Sequence, residues 1–228
     1  MSSGTGVWAV LVAAGQGERF GGDRPKAFAK LGGRPLLAES LERLDRSDWV
    51  ESIVIVAPLD WEEPSILVAE EIAAGKVRSA VTGGVTRADS VRAGLEDVPE
   101  EAAVVLVHDA ARPILPEEVV GRVVEGLEEG WDAVAPGLRI ADTVKRAEGD
   151  EVSETVDRSG LVAVQTPQAF VAGALRRAHA HGGQATDCAG LVEAAGGRVR
   201  IVAGDPRLLK VTTPADLDFA EALLRVEA

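Results

Sequence analysis

The chain has 228 residues, of which 46% are hydrophobic and 27% charged, and its formal net charge is −13. That length supports a sizeable core, and the acidic balance argues against a broad nucleic-acid-binding face, which needs clustered basic charge. A single cysteine, Cys188, excludes an intrachain disulfide and a cysteine-based zinc cluster, and fits a reducing cytoplasm.

Residues 7–13 form an apolar run with several β-branched members, which predicts a buried strand. No basic lead-in precedes it, so it is a poor signal peptide. No stretch approaches the ~20 apolar residues needed to span a bilayer. The run breaks into a glycine-rich loop carrying Arg19, Arg24 and Lys26. Backbone N–H groups that no side chain crowds can approach phosphate, and nearby cations add formal charge. The loop fits neither the dinucleotide fingerprint, since Gly15 and Gly17 lead to Phe20, nor the P-loop. Its composition leaves two readings open, an anion site and a solvated surface turn.

Helices are expected over residues 35–44, 62–74 and 87–95, with strands at 52–57 and 79–82. Gly83-Gly84 and Arg87 to Ser90 open the third of these helices. Ser90 there could bond a base or ribose, or the segment could be a glycine turn with an N-cap. A strand at 103–108 ends in His108-Asp109-Ala110-Ala111-Arg112. Asp109 could hold Mg²⁺ through one bond and several waters, or bond its own turn backbone. His108 has no second histidine at zinc spacing and reads as a packed, hydrogen-bonded residue.

A helix at 117–128 and a strand at 133–136 follow. Between 139 and 165 the pattern changes. Residues 140–146 and 152–158 read as two strands around a Glu148-Gly149-Asp150 turn, a protruding hairpin needing something to pack on. Helices are expected at 172–181, 188–195 and 215–225. The last is capped by Thr213, with Pro214 in its first turn and Asp216 at its positive end. His179 and His181 read as solvated residues near a helix end. Lys210 lies just before the final helix.

Strands alternating with helices imply an α/β architecture, a mainly parallel sheet with helices on both faces and right-handed crossovers. Ligands of such sheets bind beyond the carboxyl ends of the strands. Three polar clusters fall there: residues 14–26, 83–90 and 108–112.

Taken in order, these segments resemble the 2-C-methyl-D-erythritol 4-phosphate cytidylyltransferase family. The likeness rests on Ala13-Ala-Gly-Gln-Gly-Glu-Arg19 with Pro25-Lys26, on Gly83-Gly84 with Arg87 and Ser90-Val91, and on Val107-His-Asp-Ala-Ala-Arg-Pro113. It continues through Asp142-Thr143, Thr155-Val-Asp-Arg158, Gln165-Thr-Pro-Gln168, Thr186-Asp187 and Lys210-Val-Thr-Thr-Pro214. The glycine loop is shared with many sugar-nucleotide transferases; the later segments are more specific.

The resemblance implies a Rossmann-like nucleotidyltransferase fold in a single domain spanning residues 1–228, with a β-arm at about 138–160. It also implies CMP transfer from CTP to the methylerythritol phosphate, a magnesium cofactor, a homodimer formed through the arm, and no nucleic-acid or membrane partner. By the same resemblance Arg19, Lys26, Arg158 and Lys210 are catalytic and Asp109 serves the metal. Substrate contacts are implied for Ala13, Ala14, Gly15, Gly17, Gly84, Arg87, Ser90, Ala110, Arg112, Thr143, Thr166 and Thr186. Two positions depart from the family pattern. Leu208 stands where Asn is frequent, and Cys188 where acidic residues are common. A cytidylyltransferase for another polyol phosphate, such as ribitol 5-phosphate, and a nucleotide-binding regulatory protein without turnover are the rival readings.

Overall fold

The computed structural model describes residues 6–15, 24–127, 130–181 and 185–227. In chain order the strands are β1 (Val7–Val12), β2 (Lys30–Leu31), β3 (Arg34–Pro35), β4 (Val50–Ala57), β5 (Val77–Thr82), β6 (Val104–Asp109), β7 (Ala133–Arg139), β8 (Val144–Glu148), β9 (Glu151–Val156), β10 (Val162–Val164), β11 (Gln168–Val171) and β12 (Val199–Ala203). The helices are α1 (Leu36–Arg46), α2 (Glu62–Glu71), α3 (Arg87–Glu96), α4 (Glu117–Glu125), α5 (Ala172–His181), α6 (Cys188–Ala194) and α7 (Pro214–Glu227). A single 3-10 turn covers Lys26–Phe28.

The central sheet runs β5-β4-β1-β6-β11-β7, with β12 on the far edge of β7. Gly137 of β7 pairs with Val164 of β10 on one side and Ala203 on the other. β1 is parallel to both β4 and β6. The chain therefore builds outward from β1 through β4 to β5, then returns to β6 on the other side of β1. This reversal opens a crevice at the carboxyl ends of β1 and β6, where ligands of open α/β sheets bind.

Strands buried on both faces read as unbroken apolar runs. In β1, Ala9 and Leu11 face one core with Leu37 and Leu41 of α1, Val68 of α2 and Val119, Val120 and Val123 of α4. Val10 faces the other core with Val91 and Leu95 of α3, Leu175 of α5 and Leu191 and Val192 of α6. α7 closes a third cluster of Leu31, Leu36, Ile114, Val211 and Ala220.

Five strands lie outside the expected pattern: the short β2, β3 and β10, and β11 and β12 of the central sheet. β11 runs antiparallel between β6 and β7, pairing Phe170 with Val105 and with Ala133. Its apolar core is only Ala169-Phe170-Val171, too short a run to separate from the helix that starts at the next residue. β12 has no fully buried residue: Val199 packs on one core and Val202 on the other while Ile201 faces solvent, the mark of an edge strand. At the last helix, the expected start residue Pro214 holds, but the stabilising contact is Asp216. Its carboxylate accepts from the Thr212 and Thr213 amides and the Thr212 hydroxyl, each at 2.8 Å. Those bonds, the Thr212 amide first, hold Asp216 down to about 2.

β8 and β9 pair only with each other. The two-residue link Gly149-Asp150 has Gly149 at φ +59°, a left-handed conformation glycine takes without strain. Arg146 reaches Glu154 across the pair at 3.0 Å. The strands start later than residue 140 because β7 runs on to Arg139, and the chain must turn before it can fold back.

Candidate active site

Backbone bonds tie the strand-end loops together. Ala13 N–H donates to Val56 O at 2.8 Å, Ala110 N–H to Val12 O at 3.0 Å, Gly83 N–H to Ala57 O at 2.8 Å and Val211 N–H to Ala111 O at 2.8 Å. They frame a cavity of ≈ 730 Å³ bordered by Ala13, Ala14, Gly15, Lys26, Gly84, Arg87, Ser90, Asp109, Ala110 and Lys210. These were brought together from all three polar clusters and from the segment before α7. Val85, Thr86 and Thr212 also border it and were not singled out from sequence. Thr212 was foreseeable, since Lys210 and Thr212 flank the buried Val211 in an irregular segment.

Lys26 opens the 3-10 turn, whose position is fixed from behind. Ala27 and Phe28 are buried, and Phe28 packs on Trp61 with ring centroids 4.4 Å apart. Opposite, α3 begins in a capping box: Thr86 accepts from Asp89 N–H at 3.0 Å, and Asp89 accepts from Thr86 N–H at 3.2 Å. The Ser90 hydroxyl contacts Thr86 O at 3.0 Å and accepts from Gly84 N–H at 3.2 Å. Ser90 thus shapes the Gly83-Gly84 loop from within.

The same loop explains Gly83. A Cβ there would sit 2.2 Å from Ala14 Cβ and 2.9 Å from Ser90 Oγ, so the first and second loops could not touch. Gly83→Ala should destabilise the fold by about 1–3 kcal/mol through overpacking and raise KM for a nucleotide. Denaturant unfolding and steady-state kinetics check both; unchanged values would mean the loops separate freely.

The charged centre is Asp109 at the end of β6. Arg87 donates to Oδ1 from Nε at 3.0 Å and from Nη2 at 2.8 Å, and Lys210 donates to Oδ2 at 2.8 Å. Burial opposes ionisation of Asp109, but the two cations outweigh it and hold the carboxyl well below its ordinary range. Among the described residues Asp109 is the one carboxylate bordering the cavity, and no group of three or more His, Cys, Asp or Glu is placed to hold a metal ion. A single carboxylate suits a magnesium ion that takes its other ligands from water and phosphates. Oδ2 receives one hydrogen bond where Oδ1 receives two, so Oδ2 has acceptor capacity for such a cation.

Behind the centre lies a buried polar chain. Asp109 N–H donates to Thr166 Oγ1 at 3.1 Å, Thr166 Oγ1 meets His108 Nδ1 at 3.2 Å, and His108 Nε2 meets Arg112 O at 3.1 Å. A carbonyl on Nε2 requires the proton there, so Nδ1 accepts from the threonine. Arg112 in turn bonds Leu208 O, and Leu208 is fully buried. The departure at Leu208 is therefore accommodated: the main chain leading to Lys210 is held through a carbonyl. Arg112 and Thr166 support the site from behind and do not border the cavity.

Burial lowers His108 to about 4 and His179 to about 4. His179 is thus partly enclosed, not a solvated cap. The unfolded chain binds these protons from about pH 6.5 downward while the folded one refuses them, so stability falls as pH falls from 6.5 to 4. His108 alone contributes up to about 3 kcal/mol of that loss. The expected result is a melting temperature that declines across this window and a His108 ring that stays neutral by NMR above pH 5.

Thr143, Arg158 and Thr186 do not border this cavity. Thr143 lies just before β8, and Arg158, just after β9, donates to Ile140 O at 3.0 Å. Thr186 precedes Asp187, which caps α6 by accepting from Gly190 N–H at 2.9 Å. Arg19 and Gly17 lie outside the described residues.

The family model for 2-C-methyl-D-erythritol 4-phosphate cytidylyltransferase (IspD) matches residues 7–226. This chain belongs to that family. A relative of that name from Rhodococcus jostii is 47% identical over 227 residues, covering 98% of each chain. The 4-diphosphocytidyl-2C-methyl-D-erythritol synthase structure from Anaerococcus prevotii superposes with a TM-score of 0.84 at 29% identity, covering 96% of each chain. The Thermus thermophilus 2-C-methyl-D-erythritol 4-phosphate cytidylyltransferase gives 0.79 at 36% identity, covering 95% of this chain and 98% of that one. Membership agrees with the α/β fold. Among the described residues no helix is long and apolar enough to cross a membrane.

Proposed function

We propose that this chain transfers CMP from CTP to 2-C-methyl-D-erythritol 4-phosphate, giving 4-diphosphocytidyl-2-C-methyl-D-erythritol and pyrophosphate in isoprenoid biosynthesis. The observation that carries this reading is a cavity that sets Lys26, Lys210 and Asp109 around one volume in a chain of this family. A phosphate oxygen of the polyol attacks the α-phosphorus of CTP, and the bond to the β-phosphate breaks. The nucleophile is already anionic, so no general base is needed. The barrier is the approach of two anions, which cations and in-line positioning lower.

Ala13, Ala14 and Gly15 offer main-chain groups to the nucleotide, and Gly84, Ser90 and Ala110 shape its nucleoside end. Lys26 and Lys210 face the charge that develops, and Arg19 is the third cation assigned to stabilise it. Asp109 would hold magnesium together with the nucleotide phosphates; when bound, the ion supplies charge neutralisation of the polyphosphate. Thr143 and Arg158 are carried by the arm to the polyol-phosphate end in a neighbouring protomer of a homodimer, with Thr186 on the same side. Exposed Val152 on the arm, and Leu161, Val162 and Val164 beside it, favour such an association. The working compartment is the cytoplasm, where Cys188 stays reduced.

The test is pyrophosphate release across CTP, UTP and ATP with methylerythritol phosphate and ribitol 5-phosphate, with and without Mg²⁺. Release confined to CTP, methylerythritol phosphate and magnesium is expected. Preference for ribitol 5-phosphate, or nucleotide binding without release, would reject the assignment. Sedimentation showing a monomer would reject the shared site.

A further inference from the structure

The two cations on Asp109 are not equivalent. Arg87 sits at the first position of α3 with its side chain 24% exposed, and three of its nitrogens donate to two acceptors. Two of its nitrogens share Asp109 Oδ1, and Nη1 donates to Cys188 Sγ at 3.3 Å. Cys188 is fully buried at the start of α6, and burial pushes its thiol up to about 11. It is therefore a neutral acceptor that holds the guanidinium without competing with the carboxylate for its charge. Lys210 comes from an irregular segment, is 41% exposed, and makes one contact with Oδ2.

A guanidinium fork fixed from α3, β6 and α6 keeps its geometry, while a flexible, strongly hydrated ammonium exchanges partners readily. A polyphosphate entering the cavity competes for Lys210 and leaves Arg87 in place. The geometry points to Arg87 as a positioning residue that acts through Asp109: anchored by Cys188, it occupies Oδ1 and turns Oδ2 toward the cavity for a divalent cation. It does not touch the nucleotide. This rests on the proposed magnesium-dependent transfer and deepens it.

The experiment measures Mg²⁺ and Mn²⁺ binding to the CTP-loaded protein by calorimetry, and CTP binding without metal, for wild type, Arg87→Lys and Cys188→Val. Arg87→Lys keeps the charge but loses the fork, and is expected to weaken metal binding about tenfold, as removal of a partner behind a metal ligand does. Metal-free CTP affinity should change little, and the half-saturating Mg²⁺ in turnover should rise in parallel. Cys188→Val, which leaves every cavity-lining residue in place, should move metal affinity in the same direction by less.

Weakened metal-free CTP binding in Arg87→Lys would overturn the proposal, because Arg87 would then contact the nucleotide. Wild-type metal affinity in both variants would overturn it too, as would a wild-type chain that takes up CTP but no divalent cation. If Arg87→Lys does not fold, unchanged metal affinity in Cys188→Val is the overturning result. Wild-type protein that binds CTP and metal yet releases no pyrophosphate defeats the catalytic reading alone, and the comparison of variants stands.

Discussion

Asp109→Asn should lower turnover by about a hundredfold to a thousandfold, the range seen when one preorganised electrostatic group is removed. The substitution keeps shape and an acceptor oxygen but removes the anion that pairs with both Arg87 and Lys210. Two cations then face each other across a neutral amide, and Arg87 is left mostly enclosed with the Cys188 thiol as its remaining partner on that side. Breaking a buried pair from one side costs more than the pair itself contributes, because an unpaired charge stays in low dielectric. Lys210 is partly solvated, which softens that cost, so the stability loss should be about 2 kcal/mol. Denaturant midpoints at constant m-value and pyrophosphate release check the two effects separately. A variant with full activity would remove Asp109 from the site.

Lys26→Ala should cut turnover by roughly a hundredfold or more, again the scale of one lost electrostatic contact in a transition state. Its fold should survive. The 3-10 turn is held by buried Ala27 and Phe28 and by the Phe28–Trp61 contact, none of which needs the lysine side chain. Binding of CTP should weaken less than turnover if Lys26 acts on charge that develops during transfer. Near-wild-type turnover would reject its role, and a parallel fall in melting temperature would recast Lys26 as a structural residue.

Much of this architecture is readable from residue order. The parallel strands β1, β4 and β6 are apolar runs buried on both faces, and α5 begins at Ala172 and ends at His181 as its pattern implies. The start of α7 follows from Thr-Thr-Pro with an acidic residue two positions on. Helix caps and buried runs are local, and local chemistry is carried by adjacent residues. β11 is different. Its three apolar residues form a strand because β6 and β7 leave an antiparallel slot between them, a condition set by residues 35 to 67 positions away.

At the site, the glycine loop stands out by composition while Asp109 and Lys210 are singled out by the family resemblance, and the cavity gathers Gly15, Lys26, Asp109 and Lys210, Arg19 and Gly17 being outside the described residues. Their division of labour does not stand out. Arg87 and Ser90 look alike as polar residues opening a helix. Only packing shows that Ser90 is turned onto its own loop and that Arg87 bridges Asp109 and Cys188. Arg112 and Thr166 look like ligand groups in sequence, whereas tertiary contacts place them in the polar chain behind Asp109.

The order of residues by itself determined the alternating α/β pattern and the hairpin, since both depend on periodicity, and its likeness to the family singled out the cations and the carboxylate for phosphate work. Tertiary structure decided which partners those groups keep. Arg87 and Cys188 are 101 positions apart, as are Asp109 and Lys210. Such pairs exist only once the sheet reverses at β1 and β6, because closeness across the crevice is a property of the topology and not of the intervening chain.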